Sequence, residues 1–268
     1  MSFLFRVFVI LLFVTPRVSL ASFTTRTYTF STTSSATDSV GEPVSAQAIF
    51  HITADSMVVT LVNEQKDITS VGQNISSLYF TVNDCGSIFS LGGSTGNLVS
   101  VGSGGKIDSS SESNSLDHWQ SGQSGGQLYL NDLAGGGSPD QTIIGPQNGE
   151  GDYSTVNHSI YDNAPHNPFV QNEATFTYKF PPGELSENTK ISKVTIGFGT
   201  QAGCNQSTYL SSARIPAPGS LPLFLIGLIP LLGNSLRKRR TYSGSASEKS
   251  RNILSASSGS SLQMACPT

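Results

Sequence analysis

Charged residues are scarce in this chain. Asp, Glu, Lys and Arg make up only 12% of its 268 residues, about half of their share in an average globular protein. The chain also lacks the abundance of Ala, Leu, Glu and Lys that favours helical proteins, and Ser, Thr, Asn, Gln and Gly stand in their place. Aromatic residues, at 9%, are sufficient for a core and exclude complete disorder. This composition is typical of an exported β protein.

Basic residues are especially rare in the middle of the chain. Between residues 22 and 215 there are 7 Lys or Arg residues against 17 Asp or Glu residues. Such an acidic body repels phosphate backbones, and no basic stripe with interleaved aromatic residues is present. Nucleic-acid binding is therefore excluded.

Cysteine is equally rare, with Cys85, Cys204 and Cys266 as the three examples. Because no two of them have the C-x-x-C spacing, a structural zinc site is not expected. If the C-terminal tail is removed, Cys85 and Cys204 remain, either as a disulfide or as two free thiols. A disulfide closing so long a loop stabilises by about 3–5 kcal/mol in the chain-entropy model.

The first 21 residues have the order of a secretory signal peptide. Arg6 precedes an apolar run over residues 7–14, and the small residues Ser19 and Ala21 follow. The run is too short to span a bilayer permanently but suits a cleaved leader. We therefore predict cleavage after Ala21 and export of the rest of the chain.

A second targeting segment is predicted over residues 214–240. A short Pro-containing motif precedes an apolar stretch over residues 221–232, and a basic cluster follows: Arg237, Lys238, Arg239 and Arg240. Because a basic cluster after an apolar stretch stays in the cytoplasm, the body is expected on the far side of the membrane. Pro222 and Pro230 interrupt a stretch already shorter than the roughly 20 residues of a permanent span. The anchor is therefore expected to be transient.

This segment resembles a PEP-CTERM sorting signal, the bacterial tag that exosortase-type membrane proteases recognise. The resemblance implies that Pro216, Ala217 and Pro218 form the recognition motif and that the basic cluster is the stop-transfer signal. The chain departs from the usual tag because Ala217 stands where Glu is usual and because residues 241–268 follow the cluster. That Ser-rich tail is predicted to be disordered. A sortase signal is rejected because its Thr and Gly are missing after Pro222.

The body, residues 22–213, shows the period-two alternation of apolar and polar residues that predicts β-strands. The inward positions fall in six sets: Ala46, Ala48, Phe50 and Ile52; Met57, Val59 and Leu61; Leu78, Phe80 and Val82; Leu128 and Leu130; Phe176, Tyr178 and Phe180; Val194, Ile196 and Phe198. A turn over residues 54–56 predicts a hairpin, and the Gly/Ser-rich residues 92–126 predict a long loop. Short strands at regular spacing favour an all-β fold, a two-sheet antiparallel β-sandwich of jelly-roll type, followed by a separate C-terminal hydrophobic helix.

The body also resembles an ectodomain type that recurs among PEP-CTERM proteins. The resemblance rests on four short segments, at residues 73–76, 143–146, 166–169 and 196–200. It implies the sandwich fold and brings no established activity.

Motifs with chemistry are few. Residues 122–126 match the nucleophile pattern G-x-S-x-G, but a strand follows Ser124 where the elbow needs a helix. The four His residues lack metal-ligand spacing, and the polar loop around His158 and His166 is either an Asx-turn loop or a calcium or sugar site. Trp119, the one Trp of the chain, is expected to pack under the loop rather than stack on a sugar. We therefore assign no catalytic, cofactor or metal residues.

Taken together, these patterns predict an exported, non-enzymatic protein of the cell surface or extracellular matrix. Its expected partners are an exosortase-type protease, the membrane through the C-terminal helix, and exopolysaccharide. A transient inner-membrane stage would precede release to the surface. One alternative is a carbohydrate-binding module, which exposed aromatic residues on one sheet face, such as Tyr129 and Trp119 together, would favour. A less favoured alternative is a secreted hydrolase, which needs converging carboxylates in a cleft with a shifted pKa.

Overall fold

The computed structural model describes residues 25–83, 89–134 and 138–201, together with the backbone of two later strands. Thirteen strands make up the regular structure: β1 (Arg26–Ser31), β2 (Ala46–Ile52), β3 (Ser56–Asn63), β4 (Ile75–Val82), β5 (Ser90–Val101), β6 (Ile107–Ser113), β7 (Gln120–Ser124), β8 (Gln127–Asn131), β9 (Ile143–Ile144), β10 (Phe169–Lys179), β11 (Ile191–Phe198), β12 (Gln206–Tyr209) and β13 (Ala213–Pro216). Two single-turn 3-10 helices, Val71–Gln73 and Ser103–Gly105, are the helical elements of the described chain. The all-β prediction is confirmed.

The strands form one hydrogen-bonded sheet. Its main path runs β12-β11-β4-β9-β10-β3-β2-β1-β13, while β5 and β6 branch from β10, and β8 and β7 branch from β4. All pairings are antiparallel except the one between β9 and β10, which is parallel. The sheet is therefore mixed, where the sequence predicts purely antiparallel pairing.

Strands that are far apart along the path of the sheet meet in the core. Phe50 of β2 contacts Phe80 of β4 with ring centroids 5.0 Å apart, although three strands separate β2 from β4 along the path. All six predicted inward sets are buried, because alternate residues of a strand point to the same face. The predicted hairpin is also confirmed, with Ile52 opposite Met57.

The prediction of a long loop over residues 92–126 is wrong. Most of this Gly/Ser-rich region belongs to β5, β6 and β7. Glycine marks close approach here rather than a loop, since a Cβ at Gly96 would lie 2.6 Å from Cγ1 of Val170 in the neighbouring β10. β6 pairs with β5 alone, and most of its serines are exposed. The strand therefore shows no alternation of apolar and polar residues in the sequence.

The predicted C-terminal helix and the predicted tail lie outside the described residues. Within the part of the chain that is described, no helix is long and apolar enough to cross a membrane.

Candidate functional site

Most residues of the predicted targeting signals lie outside the described residues. These are Ala21, Ala217, Pro218 and the basic cluster. Cys85 and Cys204, predicted as a disulfide or two free thiols, also lie outside the described residues. Pro216 is the exception, because it is the last residue of β13 and stands opposite Arg26 at the start of β1. The two ends of the described body are therefore neighbouring strands of one sheet.

The serine of the G-x-S-x-G match, Ser124, lies at a turn between two strands. Ser124 is the exposed last residue of β7, and Gly125 and Gly126 form the turn to β8 with φ of 59° and 79°. Two consecutive residues with positive φ are the geometry of a tight two-residue hairpin, which glycine favours. Strand, turn and strand replace the strand, turn and helix of a nucleophile elbow.

Trp119 packs in the core, as the sequence predicts. Its side chain is 3% exposed, its ring lies 5.0 Å from that of Phe176, and its Nε1 donates a hydrogen bond to the Gln141 carbonyl at 2.8 Å. Trp119 is therefore unavailable for stacking on a ligand.

The polar loop around His158 and His166 is held by its own side chains. Asn157 Oδ1 accepts the Ser159 N–H at 2.8 Å in an Asx turn, and the His158 ring lies 4.1 Å from that of Tyr161. His166 Nδ1 lies 2.8 Å from the Pro139 carbonyl. These contacts account for the loop's polar residues structurally.

The four segments of the ectodomain resemblance meet around β9. Ile143 pairs with Ile75 on one side and with Val170 on the other, and the Gly199 N–H donates to the Asn74 carbonyl at 2.9 Å. Residues 73–76, 143–146 and 196–200 are thus in direct contact, and residues 166–169 lead into Val170. Together these segments connect β4, β9, β10 and β11 in the middle of the sheet.

Next to this junction lies a group of buried polar residues that the sequence analysis missed. Asp132 follows β8, is 4% exposed, and donates its N–H to the Ser76 carbonyl at 3.0 Å. Neither of its carboxylate oxygens has a partner of ordinary hydrogen-bond geometry among the described residues, although the backbone amide of Gln141 lies near enough to act on the carboxylate. Asp140 precedes β9, and its Oδ1 lies 2.6 Å from Nδ1 of His118.

Burial and charge both act on these carboxyl groups. Burial, and then the negative charge of Asp140, raise the pKa of Asp132 to about 7, while the Gln141 amide opposes the shift. Burial also raises the pKa of Asp140, whereas His118 and His166 act in the opposite direction. A shifted carboxyl pKa is one mark of a hydrolase. Asp132 is nevertheless too deeply buried to meet a polymeric substrate in a cleft.

Two tyrosines lie side by side on the outer face of the sheet. Tyr79 of β4 stands opposite Tyr129 of β8, and their half-buried rings are 6.0 Å apart. Gly122 of β7 is next in the row, where a Cβ would overlap the Tyr129 ring. Burial, together with Tyr129, raises the pKa of Tyr79, so the Tyr79 hydroxyl stays protonated at neutral pH.

A shallow groove of about 360 Å³ lies where β10 departs from regular pairing with β5. Asn97, Gln171, Asn172 and Glu173 are among its lining residues, and Asn97 Nδ2 donates to Gln171 Oε1 at 2.8 Å. The lining contains no aromatic ring and one carboxylate.

Among the described side chains, no group of three or more His, Cys, Asp or Glu residues is placed to hold a metal ion. No protein-family model, no curated protein and no solved structure significantly matches the chain.

Proposed function

We propose that the chain is an exported, non-enzymatic surface or matrix protein that an exosortase-type protease sorts through residues 214–240. The observation that carries this proposal is the pairing of β1 with β13 at one edge of the sheet. These two strands are the described strands nearest in sequence to the predicted processing sites at Ala21 and at residues 216–218. Cuts at these places would leave the core strands whole.

The finer architecture belongs to the same proposal. The contact between Phe50 and Phe80 across the core supports a two-sheet sandwich of jelly-roll type, with the parallel β9 strand joining the two sheets. A module of this kind suits a structural or adhesive role. Its surface fits this role, since Val40 is the one large apolar side chain fully exposed among the described residues.

The sorting motif is tested in the native host with the variant Pro216→Ala/Pro218→Ala. We expect the variant to accumulate as an uncut, membrane-bound precursor, because the protease no longer recognises its motif. The control is Pro267→Ala in the tail, which should be processed like the wild type. Immunoblots of membrane, envelope and medium fractions give the readout. Normal processing of the double variant would refute the assigned motif.

Carbohydrate binding is the second candidate function, and the tyrosine pair favours it. Sugar rings stack on exposed aromatic faces, and Tyr79 and Tyr129 offer two adjacent rings on one sheet face. Thr195 of β11 follows Tyr79 in the same row, so hydroxyl groups border the rings. The bound polymer would be the cell's own exopolysaccharide.

Replacing Tyr129 with Ala is expected to weaken polysaccharide binding about tenfold, which corresponds to roughly 1.4 kcal/mol. The loss would come from the ring's stacking surface. Affinity electrophoresis in gels containing the host polysaccharide measures the effect. Tyr161→Ala is the matched control, since Tyr161 is also half-buried but contacts His158 elsewhere. Equal mobility of all three proteins would rule out this surface.

A further inference from the structure

The buried side-chain oxygens that lack hydrogen bonds belong to neighbouring segments of the chain. Among the described residues they are Asn74 Oδ1, Ser76 Oγ and both carboxylate oxygens of Asp132, with Asp140 Oδ1 beside them in its ion pair to His118. Buried polar atoms in native proteins are nearly always hydrogen-bonded, so an unpartnered group requires an occupant or another explanation. All these atoms are oxygens, which is the ligand type that hard cations prefer.

We propose that this group of oxygens is a binding site for a divalent cation, with Ca²⁺ as the best match. Asp132 is the central ligand, and Asn74, Ser76 and Asp140 are the further oxygen donors. The inference goes beyond the proposed function and does not rest on it.

Three segments of the chain bring these residues together. Asp132 follows the pair formed by Asn131 and Ser77, and its N–H donates to the Ser76 carbonyl at 3.0 Å, so Asp132 stands across from Ser76. Asn74 lies two residues before Ser76, at the entrance to β4. All of these residues are buried, with Ser76 at 1% and Asn74 at 0% exposure.

The third segment is the stretch that leads into β9. Asn74 Nδ2 donates to Thr142 Oγ1 at 3.1 Å, and this bond leaves the amide oxygen of Asn74 without a partner. Thr142 lies two residues after Asp140, whose negative charge acts on Asp132. Two carboxylates close enough to repel each other inside the protein are stabilised by a cation between them.

The ligand types distinguish among cations. No sulfur is present and the His118 nitrogen already contacts Asp140, which disfavours zinc, a metal that prefers N and S ligands. Mg²⁺ demands strict octahedral geometry, whereas Ca²⁺ accepts carboxylate, amide and other oxygens in irregular arrangements. Extracellular modules bind Ca²⁺ with a Kd of about 0.1–1 mM, which is the expected range here.

The test uses the full chain, purified in mild detergent and treated with EDTA. Adding Ca²⁺ at about 100 times its Kd is expected to raise Tm by about 5–10 °C. Terbium, which replaces Ca²⁺ in oxygen sites, is expected to luminesce when Trp119 is excited. Trp119 is bonded to Gln141, the neighbour of Asp140, and transfers its energy over this short distance.

Asp132→Asn removes the central ligand and should reduce Ca²⁺ affinity by at least about tenfold. Asp117→Asn is the matched control, because Asp117 is an exposed carboxylate beside His118 and should leave the calcium effect unchanged. The terbium signal of the wild-type chain tests the site even where a variant fails to fold. An unchanged Tm with Ca²⁺ and no sensitised terbium signal would overturn the proposal, as would an equal calcium effect in Asp132→Asn.

Discussion

Replacing Phe50 with Ala lowers the free energy of unfolding by about 3–5 kcal/mol, the usual cost of truncating a buried Phe. Phe50 is 0% exposed and contacts Phe30 at 5.7 Å and Phe80 at 5.0 Å between ring centroids. Because its ring contacts the rings of Phe30 in β1 and Phe80 in β4, its removal leaves a cavity within the core. Tm falls by about 10 °C in a domain of this size, and urea denaturation gives the free energy.

His51→Ala is the matched control for Phe50. His51 is the next residue of β2, exposed on the opposite face, where its Nδ1 lies 3.0 Å from Thr27 Oγ1. Its replacement should cost no more than about 0.5 kcal/mol. A large loss for His51 together with a small loss for Phe50 would mean that β2 is shifted by one residue, since a single-residue shift exchanges the two faces of a strand.

The second large effect is a pH dependence that comes from Asp132. Burial and the charge of Asp140 raise its folded-state pKa to about 7, while its pKa in the unfolded chain is about 3.9. Between these values the folded state binds more protons than the unfolded state, so stability falls as pH rises from about 4 through 7. In EDTA the loss is about 4 kcal/mol, which urea denaturation at successive pH values measures.

Asp132→Asn isolates this contribution from that of the other carboxyl groups. Asn carries no charge at any pH, so the variant should lose the decline in stability above pH 4 that Asp132 causes. Asp140, whose charge acts on Asp132, and His118 and His166, whose charges act on Asp140, all remain in the variant. A decline of equal size in both proteins would show that Asp132 is not responsible.

The strands that could be predicted are those with one buried and one solvated face. Phe50, Val59 and Leu61 are buried and alternate with more exposed neighbours because each strand covers the core on one side only. The strands of residues 92–126 could not be predicted in this way. In β6 both faces are largely exposed. In β5, the close approach of Val170 to Gly96 becomes evident only in the folded chain.

The parallel pairing of β9 with β10 could not be predicted from the sequence either. Its two residues, Ile143 and Ile144, are both buried, so no alternation marks them as a strand. Their partners in β4 and β10 lie far away in sequence. Residues 143–146 were recognised only as part of the ectodomain resemblance, which gave them no structural role.

The candidate cation site could not be predicted from linear spacing either. Asp132 and Asp140 are separated by a Gly-rich segment, and Asn74 and Ser76 come from a strand more than fifty residues earlier. These residues meet because β4 and β8 pair and because Thr142 bonds to Asn74. The pairing of Tyr79 with Tyr129 likewise depends on the register between β4 and β8, which the sequence does not determine.

Intact mass measures most directly where the mature protein begins and where it ends. The protein is recovered from its native host and separated into membrane, envelope and medium fractions. We expect a species that starts at Ser22, ends within residues 216–218, and lies outside the membrane. A membrane-bound species that retains the basic cluster from Arg237 to Arg240 and the Ser-rich tail would contradict it. The protein would then be a permanently anchored ectodomain.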